Sequence, residues 1–179
     1  MPPTTGGIFI SFEQSFRIFK NLGLQNYPSL DMKTTFDKAT RDELITRINS
    51  LSQNSTAQWG KMTVSQMIKH NIAWEEMLSG DIECKRSFAG RLVGQMVLKS
   101  LVKDEQPLRR NTPTAAELYI KEINGDVEAE KKKWIDLLEN HANFSPDGFM
   151  HPFFGKMTKE QVGILAYKHI DHHLRQFNS

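Results

Sequence analysis

The sequence predicts an all-α fold, a four-helix bundle whose 80–113 crossover carries a short extra helix. Three observations lead there. A Thr is followed three residues later by Glu or Gln at Thr40–Glu43, Thr63–Gln66, Thr114–Glu117 and Thr158–Gln161. In such a capping box the hydroxyl and the acidic or amide side chain satisfy free N–H groups at a helix start. Each box opens a run with apolar residues at the spacing of one helix face. Strand signals are scarce, and no alternating β pattern stands out.

The elements follow in order. The boxes place helices near 40–52, 63–79, 114–140 and 158–177. Gly80 is positioned to stop the second, because glycine tolerates the left-handed conformation that ends a helix. Gly125 interrupts the third and is expected to weaken it. A shorter segment near 89–103 carries Leu92, Val93, Met96, Val97, Leu98 and Leu101. Neither a phosphate-binding loop nor a Gly-x-Ser-x-Gly elbow is present, and no solenoid repeat appears.

Composition narrows the function classes. The 179 residues suit one domain, or one domain with a tail. Hydrophobic residues at 39% and charged residues at 25% are globular proportions. With 23 Lys and Arg against 21 Asp and Glu, the net charge is +2, which offers no electrostatic reason to expect a nucleic-acid partner. No run approaches the length of a spanning helix, so no membrane partner is expected. The single cysteine, Cys84, excludes an intrachain disulfide and a thiolate zinc module, and reads as a small packing residue. One free cysteine and no export signal point to the cytoplasm.

Residues 1–31 differ in character. They open with Pro and Gly runs and carry Phe9, Phe12, Phe16 and Phe19; Met32-Lys33-Thr34-Thr35 then reads like a protein start. The expectation is a poorly packed N-terminal extension over 1–31, from an upstream start, and a helical domain over 32–179. An amphipathic docking helix is the functional alternative for the extension.

With thiolate zinc modules excluded, imidazole is the metal ligand to consider, and the six histidines divide by position. On the last helix Val162, Ala166, His169, His173 and Phe177 form one stripe, flanked by Leu165 and Ile170. Asp171 projects to the opposite side, toward solvent, and His172 sits on the flank. Two imidazoles four residues apart on one face can bind one metal ion. The plainer reading is two histidines that hydrogen-bond to neighbours or line a wet cavity. No Glu follows His169, so the His-Glu-x-x-His protease motif is absent. Candidates for a third ligand are His70, His141 and His151. His70 ranks first because a helix holds a ligand more firmly than a loop. It lies at the edge of its apolar stripe, while Asn71 and Glu75 fall inside it, and Glu75 is a candidate partner for a metal-bound imidazole. His151 reads as ordering the turn into the last helix.

These pieces together resemble the DinB/YfiT-like superfamily of metalloenzymes, and more closely an uncharacterised bacterial branch of it. The resemblance rests on Trp59-Gly60-Lys61-Met62-Thr63 through Gln66-Met67 to His70, on His151-Pro152-Phe153-Phe154-Gly155, and on His169 to Phe177. It covers roughly residues 33–178. It implies a four-helix bundle holding a divalent metal through His70, His169 and His173. It also implies thiol-dependent S-transfer or a related small-molecule reaction, with a low-molecular-weight thiol as cosubstrate. Zinc or nickel is the expected ion, a small molecule the expected substrate and a homodimer the expected assembly.

Three readings of function stand side by side. The first is a metal-dependent thiol S-transferase or small-molecule hydrolase. The second is a non-catalytic metal-binding bundle, and the third is a helical interaction module. No residue is assigned a catalytic role.

Overall fold

The computed structural model describes residues 32–145 and 149–179. The expected extension over 1–31 lies outside the described residues. Five α-helices dominate those that are described: α1 (Lys38–Ser50), α2 (Val64–Ser79), α3 (Phe88–Leu101), α4 (Val127–Glu139) and α5 (Lys159–Gln176). Single turns of 3-10 helix occur at Ala116–Leu118 and Asn140–Asn143. A small antiparallel hairpin pairs β1 (Met150–His151) with β2 (Gly155–Lys156), Met150 opposite Lys156.

Burial explains why α2 is central. Twelve of its 16 residues are buried, including the polar Ser65, His70, Asn71 and Glu75. A helix buried nearly all round must have neighbours on most sides. It packs against α4, which also contacts α1, and α1 contacts α5. One apolar cluster draws Leu44 and Ile48 from α1, Met67, Ile68 and Ile72 from α2, Trp134 and Leu138 from α4, and Ile170 and Leu174 from α5. A second joins Ala73, Trp74, Met77 and Leu78 of α2 to Leu98 of α3 and to Val162, Leu165 and Ala166 of α5. Along both α2 and α5 the two clusters meet near the histidines.

Two of the four capping boxes form as expected. Thr63 with Gln66 opens α2, and Thr158 with Gln161 opens α5. Gly80 ends α2 in the left-handed conformation, at φ 89°. The other two boxes do not form. The first helix starts earlier, with Asp37 at its N-cap, and Thr40 is buried inside it. The long helix expected over 114–140 is replaced by the Ala116–Leu118 turn, an extended stretch, and α4 from Val127. Asp126 caps that start, accepting from the N–H groups of Glu128 and Ala129.

The physical reason lies in the carbonyls of the stretch. Leu118 O accepts from His70, Ile120 O from Gln66, Ile123 O from Thr63 and Asn124 O from Lys69. Side chains of α2 thus satisfy carbonyls that a helix would have used internally. The Asn124-Gly125-Asp126 run is the turn signal that marks the break.

Charged side chains fasten the remaining joints. Lys168 of α5 donates to the carbonyls of Leu101, Asp104 and Gln106, tying the segment after α3 to the last helix. Asp171 does not face open solvent as expected. It is held between Arg47 of α1, at 2.9 Å, and Arg175, at 3.0 Å. At the C-terminal end of α1, the buried Lys131 donates to the carbonyl of Leu51 at 2.8 Å.

The realised and unrealised boxes give a direct test. Thr158→Ala is expected to lower the unfolding free energy by about 1 kcal/mol, the usual loss for an N-cap hydroxyl. Thr114→Ala, at an exposed position where no helix starts, is expected to change it by less than about 0.5 kcal/mol. Urea denaturation of both variants measures the difference, and equal losses would contradict the assignment.

Candidate metal centre

Three of the six histidines converge. His70 comes from α2, and His169 and His173 from successive turns of α5. Each offers one ring nitrogen, and the three nitrogens lie within 4.8 Å of one another. His70 Nε2 and His169 Nε2 are 3.3 Å apart. Ring centroids are 4.9 Å apart for His70 and His173, and 4.8 Å for His169 and His173.

Hydrogen bonds fix the tautomers of two rings. His70 Nδ1 lies 3.0 Å from the Leu118 carbonyl, which can only accept. The Nδ1 proton is therefore in place, and Nε2 presents a lone pair. For His173 the logic has one more link. Gln176 Nε2 donates to the Trp59 carbonyl at 2.9 Å, so the amide turns its oxygen toward His173. That oxygen lies 2.9 Å from His173 Nδ1, which must donate, leaving Nε2 with a lone pair. His169 is placed by stacking instead. Its ring lies 4.8 Å from the Trp74 ring at 19°, and its buried Nδ1 has no hydrogen-bond partner.

Electrostatics favour neutral rings. Burial lowers the pKa of His70, outweighing the opposing effect of the Leu118 carbonyl. Burial, reinforced by His173 and His70, pushes His169 well below its ordinary value. Burial and the nearby His70 lower His173 to about 3. Near neutral pH all three are uncharged, the form in which imidazole ligates metal.

The donor set fits a divalent ion. Two nitrogens about 2.0–2.1 Å from one tetrahedral zinc ion stand about 3.3–3.4 Å apart. The His70–His169 nitrogen separation matches that edge. The outward nitrogens of His70 and His173 are held by a carbonyl and an amide oxygen, the usual supports of metal-binding histidines. The three imidazoles are thus placed to bind a metal ion.

Residues 31–179 match the model of a family described as a protein of unknown function, DUF1569. The chain belongs to this family. No curated protein and no solved structure matches it.

In this DUF1569 chain the other histidines serve elsewhere. His151 Nδ1 accepts from the N–H groups of Phe153 and Phe154, both at 3.1 Å, and so orders the hairpin turn. Burial lowers its pKa to about 4, with Arg86 acting in the same direction. His172 lies on the flank, its ring 5.2 Å from that of His173 and 5.6 Å from that of Trp59. The Arg110 guanidinium stacks on the other partner, 4.2 Å from the Trp59 ring centre. His141 is buried between Thr35 Oγ1, at 2.7 Å, and Glu75 Oε2, at 2.6 Å.

Glu75 therefore departs from expectation. Its bond is to His141, and none joins it to the three converging imidazoles; its Oε1 is buried without a partner. Sequence reasoning also missed the supports of the site. Gln176, three residues after His173, was legible from helical spacing. The Leu118 and Trp59 carbonyls belong to distant segments and carry no side-chain signal.

Two outcomes follow. Gln176→Ala is expected to weaken zinc binding about 10- to 100-fold by releasing His173, measured by competition with a chromophoric chelator. Unchanged affinity would remove Gln176 from the site. The metal-free chain is also expected to lose stability as pH falls from about 6.5 toward 4. His151 and His173 bind protons more weakly folded than unfolded, so their contribution is full above 6.5 and lost toward their folded values. Urea midpoints across that range check this, and His151→Asn is expected to flatten the slope.

Proposed function

We propose that the chain binds one divalent ion through Nε2 of His70, His169 and His173, and that it is a metal-dependent enzyme acting on a small molecule. The observation that carries the reading is the convergence of three neutral imidazoles with no carboxylate among them. A neutral donor set leaves a bound dication its whole charge, and three ligands leave coordination positions for reactants. When bound, such an ion supplies Lewis-acid activation of a weakly acidic nucleophile such as a thiol or water. Zinc and nickel both suit imidazole.

The chain's own residues would do the rest. The Leu118 carbonyl and the Gln176 amide hold the Nδ1 protons of His70 and His173 and so aim the opposite lone pairs. Trp74 covers one face of His169 and holds its ring by stacking. Trp59, with Arg110 stacked on it, lies beside His172 next to the site.

The resemblance to the DinB/YfiT-like superfamily supports thiol S-transfer as the reaction, with hydrolysis of a small substrate as the companion possibility. It also supports the finer fold reading, a four-helix bundle of α1, α2, α4 and α5 with α3 in the crossover. The shared apolar cluster of those four helices is in keeping with it. A second reading is a non-catalytic ion that braces α2 against α5. The position of the histidines where two apolar clusters meet favours it.

Elemental analysis of protein purified without chelators is expected to find one divalent ion per chain. His169→Ala and His173→Ala are expected to abolish it, and His70→Ala to weaken it severely. Retention of stoichiometric metal by both α5 variants refutes the site. If metal is present, thiol-transfer and hydrolysis screens separate the readings. Turnover lost on metal removal supports the enzyme, whereas loss of melting temperature without any turnover supports the brace.

A further inference from the structure

Helix α3 is packed with Gly90, Gly94 and Leu98 inward and with three of its large apolar residues outward. The residues it buries are Gly90, Gly94 and Leu98. A Cβ added at Gly90 or Gly94 would strike the carbonyl oxygen of Phe153. The helix thus rests almost directly on the backbone of the hairpin, which leaves no room for a side chain there. The opposite face carries Phe88, Leu92 and Met96, which are 78%, 71% and 67% exposed. Their four-residue spacing aligns them in one stripe. Rotating the helix to hide them would drive bulky side chains into the hairpin backbone. The exposure is therefore a consequence of how α3 is seated.

Along the α3 segment itself the charge has one sign. Between Cys84 and Asp104 the charged residues are Lys85, Arg86, Arg91, Lys99 and Lys103, all basic. Arg91 and Lys99 are exposed on α3. Among the described residues neither they nor Lys156 pairs with a carboxylate. Beside the helix a shallow cleft of about 520 Å³ is lined by Arg86, Arg91, Met150, Lys156 and Thr158. Met150 adds a further exposed apolar side chain.

We propose that this face of α3 docks on an anionic lipid bilayer. Phe88, Leu92 and Met96 enter the headgroup–acyl boundary, while Arg91, Lys99 and Lys156 meet the phosphates and carboxylates of the lipid headgroups. The three side chains are each at least 67% exposed and none of them lines the cleft, which suits a soft interface better than a shaped protein partner. Pairing with a second copy would set basic flanks against basic flanks, a repulsion that an anionic surface turns into attraction. No helix among the described residues is long and apolar enough to cross a membrane. The sequence expectation of no membrane partner rested on the same fact, and peripheral docking needs no spanning segment. The surface is separate from the three histidines, so the proposal does not depend on the function proposed for them.

Co-sedimentation of the full chain with vesicles tests it. Binding is expected to phosphatidylcholine vesicles containing about 30% phosphatidylserine, and not to phosphatidylcholine alone. It is expected to fall steeply in about 0.5 M salt, where screening is short-ranged. The variant Leu92→Ser/Met96→Ser should abolish binding. Arg91→Glu/Lys99→Glu should weaken it by about fivefold or more per changed charge. Both sets of positions are exposed, so melting temperature and metal content should match the unaltered chain. Should the apolar variant misfold, the charge variant decides. Failure to bind anionic vesicles, or equal binding by the variants, overturns the proposal. So does light scattering that shows a dimer dissociated by Leu92→Ser, because the face then belongs to a second copy.

Discussion

The close approach of α2 and α5 at the histidines is the constraint on which the rest of the structure depends. Two Nε2 atoms 3.3 Å apart, inside a buried region, require that each ring know where its proton sits. Leu118 settles that question for His70 from outside the two helices, and Gln176 settles it for His173 from the last turn of α5. Each support has a further attachment. The carbonyl of Leu118 belongs to a 3-10 turn, and Gln176 is clamped to residues 58 and 59 through both its side chain and its backbone. The site therefore depends on the 3-10 turn and on the 58–59 segment, which anchor the two helices at the histidines.

That dependence gives the 114–126 stretch its conformation. A helix there would have consumed its own carbonyls. Extended, it offers them to His70, Gln66, Thr63 and Lys69 along one side of α2. Local helix propensity and capping sequence lost to a set of tertiary hydrogen bonds, one of which orients a candidate ligand. Lys168 makes a comparable use of carbonyls from the segment following α3, and burial lowers its pKa there even as Asp104 and Glu105 act to raise it.

A second buried polar assembly brings α1 and the turn after α4 to the same two helices. His141 bridges Thr35 and Glu75, Thr35 receives Arg41 on its carbonyl, and its own N–H donates to the Gly163 carbonyl. Helices α1, α2 and α5 and the turn after α4 are thereby linked through hydrogen bonds. Thr35 is fully buried, so the Thr–His–Glu alignment reads as a brace and not as a nucleophile awaiting substrate. Buried polar groups of this kind are costly to leave unpaired, which ties the geometry of the four elements together.

From the sequence alone came the helical class, the starts of α2 and α5, the Gly80 stop, and the pairing of His169 with His173. All of these are local: a capping box acts within four residues, and i, i+4 spacing puts two rings on one face whatever lies opposite. Periodicity by itself left His70 at the edge of its stripe; its seat on a helix ranked it first among third ligands, and the resemblance to a known superfamily joined it to the pair. Tertiary structure decided what locality cannot. It paired Glu75 with His141, kept 114–126 out of an α-helix, and left Phe88, Leu92 and Met96 of α3 outward because Gly90 and Gly94 admit a neighbouring backbone. Each outcome depends on atoms contributed by segments far away in the chain, and the spacing of residues along one helix holds no record of them.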